Sequence, residues 1–209
     1  MGMRAATGAI SEVQVRNGRI ECHVLGHVAP RGICGSGLVD AVAAGLELGR
    51  ISSRGRLAKG EPFALAGPVS LNQWDVRELQ LAKGAIAAGL RLLLEQWGAT
   101  RDGLARVFLA GAFGNYINHA SARRIGLLDF PGEKVQPAGN TALLGAKLAL
   151  FGLPEHGADY PEILSRVKHV SLNEDARFQE TFAEEMVFPE TPGGTKGAST
   201  PADSAESLR

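Results

Sequence analysis

Two cysteines among 209 residues, Cys22 and Cys34, are too few for an iron–sulfur cluster held by four thiolates, and no second pair completes a zinc set. Both are expected to be reduced and partly buried. Charge of one sign is also missing. Lysine plus arginine number 22 and aspartate plus glutamate 22, so there is no broad basic field to attract nucleic acid or an anionic membrane. No apolar run reaches the 18 or more residues of a membrane span, and the N-terminus lacks a basic region followed by a continuous apolar segment. The expected compartment is the cytoplasm, with neither nucleic acid nor membrane as partner. Of the five histidines only His23 and His27 have the H-x-x-x-H spacing, and they fall in and just after a predicted strand rather than on one helical face; H-E-x-x-H does not occur. No metal site is expected.

Glycine, in contrast, is abundant: 27 residues, about 13% against a usual level of roughly 7%. Tight turns and close backbone approaches follow. The 44% hydrophobic content is that of an ordinary globular protein with one sizeable core or two small ones. Glu12 to Leu25, EVQVRNGRIECHVL, alternates apolar and polar residues on both sides of Asn17-Gly18, the dipeptide of a type I′ hairpin. Before it, MGMRAATGAI has neither a polar leader nor a helix start, and reads as chain that continues something.

PRGICGSGLVDAVAAGLELGRI places a glycine-rich turn before Leu38, Val39, Val42, Leu46 and Ile51 at helical spacing, with Ser36 as the expected N-cap. Two readings of Gly35, Ser36 and Gly37 stay open. Free amides and the positive end of the helix dipole there can hold a phosphate or carboxylate, or the glycines only let helix and sheet pack closely. After a polar connection and a possible strand at Phe63 to Val69, a long helix is predicted from Asn72 to Trp97. Its expected apolar stripe is Val76, Leu79, Ile86, Leu90, Leu93, Leu94 and Trp97, with Arg77, Gln80, Lys83, Arg91 and Glu95 off it. Small residues crowd its middle, KGAIAAG, which suits close packing or a ligand lying across it, where Gln80 and Lys83 would offer polar contacts to a purine or ribose. Asp75 and Glu78 in its first turn complement the helix dipole.

The densest signal is VFLAGAFGNYIN, Val107 to Asn118. A short apolar strand breaks into Gly111, Ala112, Phe113, Gly114 and Asn115, either as a tight bend or as a loop that lets backbone approach a ligand. A short helix is expected from about His119. VQPAGNTALLGAKLALFGL repeats the device: Gly139 and Asn140 start a helix with Leu143, Leu144, Leu148 and Leu150, and Gly145 is expected to hold it close to a neighbour. Beyond it, a helix is predicted at Tyr160 to Val167, a short strand near Val170 and a helix at Asp175 to Met186. Residues 189–209 are too poor in apolar side chains to offset ordering entropy and are read as a disordered tail. Strand, turn and helix alternate as in α/β architecture.

In that order, PRGICGSGLVDAV, QWDVRELQLAKGAIAAGL, VFLAGAFGNYIN and PAGNTALLGAK resemble the C-terminal ATPase region of the reductive activators of corrinoid proteins. These belong to the superfamily of acetate and sugar kinases, heat-shock chaperones and actin, and the resemblance runs from Met1 to about Pro189. It implies part of an actin-like, ribonuclease H-like ATPase domain over 1–188, a mixed sheet flanked by helices. It implies ATP as cofactor, with the adenosine motif mapping to Leu109, Ala110, Gly111, Ala112, Phe113 and Gly114 and the connecting helix to Gly139 through Lys147; combined with the residue readings above, adenosine is expected over Gly111, Ala112, Phe113, Gly114 and Asn115, beside Gln80 and Lys83, with phosphate near Gly35, Ser36 and Gly37. Relatives couple ATP hydrolysis to the reduction of cobalt(II) to cobalt(I) on a corrinoid protein or corrinoid-dependent methyltransferase, using an N-terminal 2Fe-2S domain.

Two features of that family do not occur in Met1 to Arg209: the phosphate-binding hairpins with their D-x-G-T pattern, and the four cluster cysteines. The expectation is therefore weak adenosine binding without turnover, no catalytic residue, and no assignment for Mg2+. Phosphoryl transfer is mainly positioning and charge neutralisation around the phosphates, and that half of a site is not evident. The alternative is a non-catalytic module that docks a corrinoid or electron-transfer protein. A serine hydrolase at Ser36 is disfavoured, because Gly37 follows the serine directly and no strand is expected just before it.

Overall fold

The computed structural model describes residues 2–151 and 160–190; the predicted tail, apart from Pro189 and Glu190, lies outside the described residues. The chain opens with the expected hairpin, β1 (Ala9–Arg16) and β2 (Arg19–Val24), antiparallel about Asn17 and Gly18, which both hold positive φ (51° and 73°) as a type I′ turn requires. A two-residue strand, β3 (Gly32–Ile33), adds parallel to β1 and makes a three-stranded mixed sheet of order β2-β1-β3. Helix α1 (Gly35–Glu47) leaves directly from β3 and lays Val39, Val42 and Leu46 into the core against Ile10 and Val13 of β1. Its N-cap is Cys34, not Ser36, and no side chain caps it. The Ser36 hydroxyl instead donates to the Ser11 carbonyl at 3.0 Å, across to the hairpin.

The predicted strand at Phe63 to Val69 is two strands, β4 (Phe63–Ala66) and β5 (Val69–Leu71), folded back at Gly67 (φ 52°). The long helix, α2 (Gln73–Trp97), begins where the sequence places it. Asn72 caps it, accepting from the amides of Trp74 and Asp75, while the Asp75 carboxylate accepts from the Asn72 amide, a complete capping box.

The buried face of α2 differs from the predicted stripe. Val76 and Leu79 are buried as expected, but Ile86, Leu93 and Trp97 are exposed, and Gln80, Lys83, Gly84, Ala87, Ala88, Gly89 and Leu92 are buried. The small residues explain the exchange. Gly84 lies against Met186 and Gly89 against Leu172, so α7 (Phe178–Glu185) and the turn before it pack onto the smooth side of α2. Chain 186–189 continues as a strap across α2. Gln80 Nε2 donates to the Met186 carbonyl at 3.0 Å, Lys83 Nζ to the Val187 carbonyl at 2.9 Å, and the Phe188 amide to the Ser53 carbonyl at 2.8 Å. Phe188, 1% exposed, joins the main core.

Between α2 and α7 come β6 (Val107–Ala110), α3 (Gly111–Tyr116), α4 (His119–Arg124), β7 (Val135–Gly139), α5 (Thr141–Phe151) and α6 (Tyr160–Arg166). Strands β6 and β7 pair in parallel. The predicted strand near Val170 does not form; a 3-10 turn, Leu172–Glu174, stands just beyond it, and α7 starts three residues later than predicted. Helix α5 has no buried residue, its Leu143, Leu144, Leu150 and Phe151 are exposed, and Gly145 has nothing within 4 Å of a built Cβ. Gly145 therefore does not seat α5 on a neighbour among the described residues. The mixed sheet of the expectation is realised as three small sheets flanked by helices.

Candidate functional site

A glycine at left-handed φ stands at the end of each parallel strand, Gly111 directly after β6 at 86° and Gly139 as the last residue of β7 at 66°, and each leads into a helix. A side chain at either position would be strained, yet a Cβ built there meets nothing within 4 Å. Backbone at both strand ends is therefore open to a ligand. Carboxyl ends of parallel strands are where α/β proteins place ligands, because the following helices start there with unpaired amides. Asn115 ties the two ends together, its Oδ1 accepting from the Gly139 amide at 3.2 Å. Asn140 caps α5 by accepting from the Leu143 amide at 3.0 Å.

The residues singled out in VFLAGAFGNYIN form one turn of helix rather than an irregular loop. Gly111 and Ala112 open α3, and Gly114 packs on β6, where a Cβ would stand 3.0 Å from the Leu109 carbonyl carbon. Phe113 reaches away from that strand. Its ring edge lies 3.1 Å from a Cβ built on Gly35, so the α3 turn touches the start of α1. Together they line a cleft of about 650 Å³ with Gly35, Ser36, Phe113, Tyr116, Arg4 and His23 on its walls. Two of the four sequence blocks thus meet. No acidic residue occupies the first turn of α1 and no side chain caps it, so the dipole's positive end faces this cleft, whose lining also includes the carboxylate of Glu12. Gly37 answers the packing reading, since its Cα faces the Ile10 carbonyl oxygen, 2.3 Å from where a Cβ would be.

Gln80 and Lys83 stand elsewhere. Their polar ends are buried, 4% and 1% exposed, and hold the strap carbonyls. Lys83 lines a separate cavity of about 280 Å³ with Arg101, Gly126, Asp129, Glu185 and Phe188. Burial pushes its ammonium below the ordinary lysine range, against the pull of Glu185. Periodicity placed both residues on a wet face because their acceptors lie more than a hundred residues downstream.

Asp40 and Tyr116 were not singled out by sequence. Tyr116 is exposed on the cleft wall, and its place after Asn115 in the motif was the available signal. Asp40, on α1, is 3% exposed, and its Oδ2 accepts from the Val13 amide at 3.3 Å. Burial raises its carboxyl, opposed by hydrogen bonds from the Ser121 side chain and the Val13 amide and helped slightly by Glu12. With the folded pKa above the unfolded one, the folded chain binds the extra proton between them, so stability falls as pH rises through that window and stays lower above it. Asp40→Asn, which does not ionise, is expected to show a higher urea midpoint than the parent near neutral pH and no advantage below the ordinary aspartate range. A lower midpoint at neutral pH would refute this.

Among the described residues no group of three or more histidine, cysteine or acidic side chains is placed to hold a metal ion, and Cys22 and Cys34 are free. The donors present do not fit an iron–sulfur cluster. No described helix is long and apolar enough to cross a membrane.

Three small sheets flanked by helices, with a parallel pair opening into helix starts, are consistent with a part of an actin-like α/β fold, which the comparisons support. A family model described as the C-terminal domain of RACo, the ASKHA domain, matches residues 1–195, and the chain belongs to that family. It is 38% identical over 218 residues to the corrinoid activation enzyme RamQ of Eubacterium limosum, covering 90% of this chain and 36% of RamQ. It is 32% identical over 117 residues to the [Co(II) methylated amine-specific corrinoid protein] reductase of Methanosarcina barkeri, covering 56% of this chain and 21% of the reductase. A solved reductive activator for corrinoid, iron-sulfur protein superposes with a TM-score of 0.76 at 31% identity, over 91% of this chain and 34% of that one. The chain spans about a third or less of each of these relatives.

Proposed function

We propose that this chain is the C-terminal part of an ATP-dependent reductive activator that brings cobalt(II) to cobalt(I) on a corrinoid protein, and that it contributes the adenosine side of the nucleotide site. The carrying observation is the pair of parallel strand ends, open at Gly111 and Gly139, locked by Asn115 and joined through Phe113 to the uncapped start of α1. These residues fit a nucleotide. Bare backbone admits the ribose, Phe113 and Tyr116 offer aromatic faces to the purine, and the first-turn amides of α1 with Arg4 suit negative charge. Bound ATP would supply the hydrolysis energy for an uphill electron transfer. Gln80 and Lys83 enter this reading only through the strap they hold, and turnover by the chain alone is not expected.

Thermal unfolding with millimolar ATP or ADP tests the proposal. Ligand at ten times its Kd stabilises by about 1.4 kcal/mol, or about 3–5 °C for a chain of this size. Gly111→Val should lose that shift. Its own cost is limited to the strained φ, about 1–3 kcal/mol, because the site is open. An unchanged shift in this variant would remove Gly111 from the site. The exposed apolar helix α5 supports a second reading, a docking module without nucleotide, and the absence of any shift in the parent would favour it.

A further inference from the structure

Residues 48–60 carry Arg50, Arg54, Arg56 and Lys59 with no carboxylate before Glu61. All four are exposed, as is Arg19 at the tip of the β1–β2 hairpin. None of these five side chains has an ion pair or hydrogen bond among the described residues, whereas Arg91, Arg101, Arg166 and Arg177 each hold a carboxylate. Their frame is fixed. The Ser52 amide donates to the Arg56 carbonyl at 2.9 Å and the Ala58 amide to the Arg50 carbonyl at 2.8 Å, and Ile51 and Leu57 are buried beneath. From α2, the Gln73 side chain takes the Leu57 amide at 3.1 Å and donates to the Gly55 carbonyl at 2.7 Å. Unpaired cations on a tethered loop need little ordering to meet a partner.

Arg19 and Arg50 flank a cavity of about 580 Å³ whose floor includes Ile20, Leu48 and Phe63, with Glu61 on its rim. Apolar floor between guanidinium walls is a mixed chemistry. We propose that this cavity docks a short acidic protein segment, seating one apolar side chain on Ile20, Leu48 and Phe63 and its flanking carboxylates on Arg19 and Arg50. A nucleic-acid backbone fits less well, because the apolar residues of the cavity, Ile20, Leu48 and Phe63, offer a sugar-phosphate chain nothing to bury. On the activator reading above, the segment belongs to the corrinoid protein.

The test uses the full chain and a fluorescein-labelled peptide with the core Glu-Glu-Leu-Glu-Glu, followed by anisotropy. Binding is expected to weaken about tenfold in Arg19→Glu/Arg50→Glu and with added salt, and to weaken at least threefold when the peptide leucine becomes serine. Arg77→Glu and Arg106→Glu combined, the same charge change away from the cavity, should leave it unchanged. No peptide binding, an equal loss in the distant variant, or tripolyphosphate binding tighter than the peptide would each overturn the proposal. The ATP shift, measured alongside, separates the two readings: its absence with peptide binding intact would remove the nucleotide site and leave this surface standing.

Discussion

Gly37→Ala is expected to be among the most destabilising single substitutions in the chain, at about 3 kcal/mol or more. An alanine Cβ there would stand 2.3 Å from the Ile10 carbonyl oxygen, 3.0 Å from its carbon and 3.1 Å from the Ile33 side chain. The Ile10 oxygen cannot swing away, since it accepts the Cys34 amide at 3.1 Å where the chain enters α1. Relief requires α1 to lift from β1, and with it Val39, Val42 and Leu46 from the core. Overpacking against backbone costs at least about 3 kcal/mol, a large share of the roughly 5–15 kcal/mol that holds a domain together. Gly49→Ala is the control. Its φ of 65° also disfavours a side chain but nothing lies within 4 Å, so about 1 kcal/mol is expected. Chemical denaturation of the two variants decides; equal midpoints would show that α1 yields at no cost.

Lys83→Ala is expected to cost about 2–4 kcal/mol, lowering Tm by roughly 5–15 °C. The substitution deletes a buried stem, enlarges a cavity already of about 280 Å³, and leaves the Val187 carbonyl without its donor. The ammonium also sits 5.8 Å from the Phe188 ring, so the strap loses a second contact. Lys83→Met keeps most of the volume and should lose only about 1–2 kcal/mol. Limited proteolysis gives an independent readout, with cleavage near Phe188 faster in both variants and fastest in the alanine one. A parent-like Tm in Lys83→Ala would mean that the strap is held without it. For the same reason, loss of a nucleotide shift in Lys83→Ala would not by itself locate adenosine, and Gly111 is the better probe.

What the sequence made legible was local. Asn17-Gly18 dictated a hairpin turn, Asn72 with Asp75 dictated a helix start, and the family resemblance carried by four blocks is matched by the relatives. The buried side of α2 was not legible. Hydropathy assigned lysine and glutamine to solvent and Ile86, Leu93 and Trp97 to the interior, whereas glycine and alanine at 84 and 87–89 decide which side another helix can approach. Ser36 failed as a cap for a related reason. Its hydroxyl finds the Ser11 carbonyl, twenty-five residues away, a partner no local pattern shows. In the candidate site the strand-to-helix turns were readable from their glycines, but the Asn115 lock and the contact of Phe113 with Gly35 join segments far apart in sequence.

The strap has a consequence for biosynthesis. Gln80 and Lys83 leave the ribosome 106 and 104 residues before the carbonyls that accept their protons. Until that late stretch is made, α2 has to keep both polar heads in water, so the surface that finally receives α7 stays wet and the core lacks Phe188. Completion of the domain is thus deferred until translation has passed residue 188, and a nascent chain stalled earlier would present quality-control proteases with an unclosed helix.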